Sequence, residues 1–138
     1  MLDRLTQTLD FNAAALLLRS ERARILAANM ANADTPHYKA RDFDFRQALQ
    51  NATAATAAVP APAARTHPAH LPLASQAGSR TAALQYRIPA QPALDGNSVD
   101  LDLERAAFAD NAVRYEAGLR FINGQIRTLT LAINGQGQ

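Results

Sequence analysis

Between Phe108 and Ile133 apolar residues recur in alternating steps of four and three: Phe108, Ala112, Tyr115, Leu119, Ile122, Ile126, Leu129 and Ile133. That spacing gathers all eight on one side of an α-helix and predicts a seam laid against another helix, in the manner of a coiled coil. Asp110, Arg114, Glu116, Arg120, Asn123, Gln125 and Arg127 stand between them and predict a solvated opposite face. A helix of about seven turns cannot cover such a seam by itself, so the pattern calls for a partner.

The N-terminal stretch Met1–Ala33 carries a narrower stripe of the same period: Leu2, Leu5, Leu9, Ala13, Leu16, Leu17, Ala23, Leu26, Ala27 and Met30. A strict heptad fails at Asn12 and Arg19, but the alanines allow another helix backbone to come close. This helix is the expected partner of the C-terminal one. An ordinary two-helix core explains the same stripe, yet two helices bury only part of their apolar surface against each other. Further chains are the expected way to complete a core this thin. The expected packing residues are Leu9, Leu16, Leu26 and Met30 from the first helix, and Phe108, Tyr115, Leu119, Ile122, Ile126, Leu129 and Ile133 from the last.

The first helix is expected to stop near Asn32 to Pro36, where Asp34-Thr35 is turn chemistry and Pro36 disfavours helix before it. Tyr38 to Phe45 alternates loosely and carries aromatics, as an extended segment or short strand does, and Arg46 to Leu49 reads as the start of a further helical turn. From Asn51 to about Pro92 alanine and proline dominate, with Pro60, Pro62, Pro68, Pro72, Pro89 and Pro92, which predicts extended chain without a packed core. Gln85 to Ile88 is a candidate short strand and Asp95-Gly96-Asn97 a turn. Ser98 or Asp100 then caps the final helix, with Asp100, Asp102 and Glu104 placing negative charge near its positive end. The expected architecture is mainly α: an N-terminal helix in 1–35 and a C-terminal helix in 98–138, paired as a coiled-coil-like hairpin. Between them, 36–97 is an extended, partly irregular, Ala/Pro-rich segment with short strands.

Composition removes several alternatives. The chain has 138 residues, a single-domain length. Its formal net charge is +2, with basic residues spread from Arg4 to Arg127, so no electrostatic footprint for nucleic acid stands out. The absence of cysteine excludes disulfides, thiol catalysis and thiolate metal sites. His67 and His70 sit three apart in Thr66–Leu71, but zinc wants three or four ligands and Pro68 opposes a helical ligand pair, so no metal is expected. The acidic run from Asp100 to Glu104 lacks the spaced oxygens of a calcium loop, which favours capping. No catalytic constellation or phosphate-cradling loop is recognisable, so no enzyme activity and no cofactor or small-molecule substrate is expected. A cleavable signal peptide is unexpected, because Asp3, Asp10 and Asn12 disturb the apolar run and Arg19, Glu21, Arg22 and Arg24 precede the Ala31-Asn32-Ala33 sequence. No run of about 20 apolar residues predicts a membrane span.

One stretch also carries a family resemblance. Ala27-Ala28-Asn29-Met30-Ala31-Asn32-Ala33-Asp34-Thr35-Pro36-His37-Tyr38-Lys39-Ala40 resembles the N-terminal signature of the bacterial flagellar axial proteins, the rod and hook group. Its signature positions here are Asn29, Asn32, Ala33, Asp34, Thr35, Pro36 and Tyr38. The continuation Tyr-Lys-Ala-Arg-Asp-Phe-Asp-Phe looks most like a proximal rod subunit, and Asp95 to Glu104 resembles the family's approach to its C-terminal helix. The family usually has glycine where His37 stands, and a positive φ there suits histidine less well. The resemblance implies a structural, self-assembling subunit of the torque-transmitting rod of the flagellar basal body, in the periplasm. It further implies export through the flagellar type III apparatus without signal cleavage. The implied partners are further copies of the chain, the rod proteins FlgC, FlgF and FlgG, the FliE adaptor and the membrane ring. Two alternatives stay open: a sister subunit of the FlgC kind, and a free-standing helical adaptor or export chaperone.

Overall fold

The computed structural model describes residues 2–57, 82–89 and 93–135. Three helices account for most of them: α1 (Leu2–Ala31), α2 (Phe45–Ala57) and α3 (Leu101–Ile133). Two short strands, β1 (Arg41–Asp42) and β2 (Gln85–Tyr86), pair antiparallel with Arg41 opposite Tyr86 and Asp42 opposite Gln85. The expected helical hairpin is therefore the architecture. Asn12 meets Gln125, Leu16 lies against Gly118, the Arg19 carbonyl meets Asn111 and Asn29 meets Glu104, so α3 runs antiparallel to α1. The histidines of Thr66–Leu71 lie outside the described residues.

The helix ends follow local chemistry. Asp100, in extended conformation, caps α3 by accepting the Asp102 and Leu103 N–H groups at 3.1 and 3.2 Å. Ser98, the other candidate cap, instead takes the Ala40 N–H at 2.8 Å. Of the acidic run, Asp102 and Glu104 lie in the first turn of α3, where the helix dipole favours them.

Over residues 51–57, α2 replaces the extended chain expected from Asn51. Asp44 caps it, its Oδ1 accepting from Arg46 N and Gln47 N at 2.8 and 3.1 Å. Phe45, Ala48, Leu49 and Ala52 then recur at helical spacing and pack on the cluster of Leu18, Phe43 and Ala82. Alanine-rich composition, which suggests too little material for a core, here gives a short helix whose small side chains lie close on α1.

Burial is unevenly distributed along the hairpin. Every buried residue among those described belongs to one end, the head: Leu18, Leu26, Asn29, Ala40, Phe43, Ala82, Asn97, Ser98, Glu104 and Asn111. The other end, the stem, pairs residues 6–17 with 112–135 and contains no buried residue. Helix α3 alone is about 50 Å long at 1.5 Å per residue, so the unsupported stem is most of the molecule's length.

Two tight turns close the head. His37 has φ +61°, the left-handed conformation foreseen as awkward for histidine, and Gly96 opposite it has φ +71°. A Cβ on Gly96 would stand 2.9 Å from His37 Nδ1, and the positive φ of Gly96 is what calls for glycine there. Replacing His37 by glycine relieves a left-handed strain of about 1–2 kcal/mol, partly offset by glycine's greater unfolded entropy. His37→Gly is expected to raise the urea midpoint, by about 1 kcal/mol or less in stability, with the helical circular dichroism unchanged.

Candidate functional site

The head is built around a side chain with no apolar role. Asn29, on the last turns of α1, is fully buried and uses every hydrogen-bonding position of its carboxamide. Its Nδ2 donates to the Arg41 carbonyl at 2.8 Å and to Glu104 Oε2 at 3.2 Å. Its Oδ1 accepts the Arg41 N–H at 3.1 Å and the Tyr38 hydroxyl at 3.3 Å. One amide therefore fixes α1 to β1 through both backbone groups of Arg41, and fixes α3 through Glu104.

Charge is threaded through the same place. Arg87, just beyond β2, reaches Glu104 Oε1 through Nη1 at 2.8 Å and Asp42 Oδ2 through Nη2 at 2.7 Å. Asp42 also receives Arg22 in a two-point pairing, Nε to Oδ1 at 3.1 Å and Nη2 to Oδ2 at 2.8 Å. Desolvation is the largest influence on Asp42 and pushes its carboxyl up. The hydrogen bonds from Arg22, Phe43 N–H and Arg87, with the Arg22 charge, outweigh it, and the net shift is downward. Arg22 is raised, chiefly by its hydrogen bond to Asp42. Arg19 is lowered, chiefly by desolvation where its guanidinium lies 4.4 Å over the Phe45 ring.

The remaining signature residues serve the turn. Asn97 aims its amide at the carbonyls of Asn32, Ala33 and Thr35, at 3.1, 2.6 and 3.1 Å, and so closes the carbonyl end of α1 from across the chain. Asn32 Oδ1 accepts the Thr35 hydroxyl at 3.2 Å. Pro36 stands just past the end of α1, while Asp34 and Pro36 are both exposed. Glu104, Arg87, Asp42, Arg22 and Asn97 escape the sequence pattern, because their partners lie far away in the chain and charge has no local period. Asp44 and the 45, 48, 49, 52 spacing were the readable signals for α2.

The expected packing residues divide between two faces of α3. Helical spacing puts Tyr115, Ile122 and Leu129, all half-buried, on the face that meets α1 through Glu104, Asn111, Gly118 and Gln125. Phe108, Leu119 and Ile126 form a flank turned away by roughly 60°, and Ile133, which shares the direction of Tyr115, lies at the end of α3 beside them. They stay exposed to solvent, Leu119 at 38%, Ile126 at 50% and Ile133 at 83%. On α1, Leu26 is buried, whereas Leu9, Leu16 and Met30 are half-buried. Leu9 and Leu129 share a groove of about 390 Å³ in the stem, lined also by Phe121 and Gly124. Phe11 and Leu17 add exposed apolar area on α1.

The chain resembles known proteins along nearly its whole length. It is 48% identical over 131 residues to the flagellar basal body rod protein FlgB of Escherichia coli (strain K12), covering 92% of this chain and 93% of that one. The protein of the same name from Proteus mirabilis (strain HI4320) is 44% identical over 140 residues, covering 99% and 100%. That of Cereibacter sphaeroides is 43% identical over 128 residues, covering 93% and 94%. No protein-family model matches the chain.

The network gives two expectations. Asn29→Asp removes both donors and sets a second carboxylate against buried Glu104, and should cost about 3–5 kcal/mol in urea unfolding, more than Asn29→Ala. Because the folded pKa of Asp42 is depressed, its contribution is complete above the ordinary value of 3.8 and is lost as pH falls through the lower folded value. Stability measured against pH should therefore drop more steeply below pH 3.8 in the native protein than in Asp42→Asn.

Proposed function

The chain belongs to the family of flagellar basal body rod proteins FlgB and is a structural subunit of the flagellar rod, and we propose that it joins the rod through the outer flank of α3, its stem completed by neighbouring subunits. The observation that carries this reading is the pairing of an exposed apolar flank, Phe108, Leu119, Ile126 and Ile133, with a stem that has no buried residue of its own. Each large apolar side chain fully covered by a neighbour contributes roughly 1.5–3 kcal/mol before ordering entropy is subtracted. Rotation that does not close turns such contacts into an open helical stack.

The neighbours in this reading are further copies of the chain, the rod proteins FlgC, FlgF and FlgG, and the FliE adaptor that joins rod to membrane ring. The subunit occupies the proximal part of the periplasmic rod and acts by assembly rather than by catalysis. It leaves through the flagellar type III export apparatus without signal cleavage. That last point is supported by the fold: cutting after Ala33 would remove α1, which supplies Leu18, Leu26 and Asn29 to the head.

The test separates assembly from folding. Leu119→Asp combined with Ile126→Asp changes only exposed positions, so the free chain should keep its helical circular dichroism. In a strain lacking the native protein, that variant should be absent from purified basal bodies and should not restore swimming. Normal swimming would overturn the flank as the assembly surface.

A further inference from the structure

The face that α3 turns toward α1 is not its most apolar one. Along it stand Glu104, Asn111, Tyr115, Gly118, Ile122, Gln125 and Leu129, three of them charged or amide side chains, while Phe108, Leu119 and Ile126 lie to one side and are 37%, 38% and 50% exposed. Burial of apolar area alone would rotate α3 by roughly 60° and hide the outer flank against α1. Three polar contacts oppose that rotation, spread along the seam. Asn12 Nδ2 donates to Gln125 Oε1 at 3.1 Å, Asn111 Nδ2 to the Arg19 carbonyl at 2.9 Å, and Asn29 Nδ2 to Glu104 Oε2 at 3.2 Å.

The middle contact is the informative one. Asn111 is almost fully buried, and its Oδ1 has no hydrogen-bond partner. The Arg19 carbonyl it meets lies within α1, whose own helical bonding already serves such groups. Asn111 therefore carries the cost of a buried acceptor left unpaired, a cost an apolar side chain there does not have. Buried polar residues of this kind, kept at a cost, act by making one pairing geometry better than its competitors.

We infer that Asn12, Asn111 and Gln125, with Asn29 and Glu104 at the head, hold α3 rotated so that its apolar stripe is withheld from α1. The three seam contacts are specificity determinants: they fix which face of α3 the chain keeps for itself. A rotation or a slide of one heptad, about 10 Å, parts all three donors from their acceptors at once. The inference rests on contacts within one chain, and stands apart from which neighbour uses the flank.

The absence of cysteine makes disulfide trapping a direct test. Two reporter pairs are placed in the full chain: Leu16→Cys with Gly118→Cys reads the observed face, and Leu16→Cys with Leu119→Cys reads the rotated one. Trapping records which residues meet even when the stem forms only transiently. With the native seam, the first pair should link within one chain and the second should not. With Asn12→Leu, Asn111→Leu and Gln125→Leu together, the ratio of rotated to observed links should rise at least tenfold, and Asn111→Leu alone should shift it in the same direction. An unchanged ratio in both backgrounds would overturn the inference. So would failure of the first pair to link in the native background.

Discussion

The fold depends on one amide. Asn29 faces the N–H and the C=O of the same residue, Arg41, and only a side chain that carries a donor and an acceptor side by side can satisfy both. A carboxylate offers no donor, and an apolar residue offers neither. With those bonds made, β1 is fastened to the end of α1. The remaining N–H of the amide then points at Glu104, which is 1% exposed and reaches no solvent of its own. A buried carboxylate needs charge as well as hydrogen bonds, and Arg87 supplies it from beyond β2. The short strands are therefore less a sheet than a bracket that carries Asp42 and Arg87 to the junction of the two long helices.

Part of this was legible in the residues. Both long helices and their antiparallel return follow from apolar period and from Pro36 and Asp100 at their boundaries. The short strand at Gln85 follows from local alternation. The signature around Asn29 pointed to the family, although nothing in its spacing says that Asn29 is buried or what it binds. The network was not legible, because Asn29 and Glu104 are 75 residues apart and Asp42 and Arg87 are 45 apart. Pairings of that range are settled by the topology, not by any periodicity. At α3 periodicity gathers one seam, of which Tyr115, Ile122 and Leu129 are half-buried beside α1 while Phe108, Leu119 and Ile126 lie to one side.

Two demands on this chain conflict. A helical pair gains stability by hiding its most apolar stripe, and an assembling subunit must leave that stripe uncovered. The structure meets both by moving the source of stability. Within the head, directional bonds among Arg22, Asp42, Arg87, Glu104 and Asn29 hold the helices, with α2 covering Leu18 and Phe43. These bonds have fixed geometry and so, together with the contacts of Asn12, Asn111 and Gln125 along the seam, set the rotation of α3 as well as its attachment. Hydrophobic contacts, which have no such directionality, could fix the attachment alone. The rotation of the stem is held at both places, and its apolar flank is left uncovered within the chain.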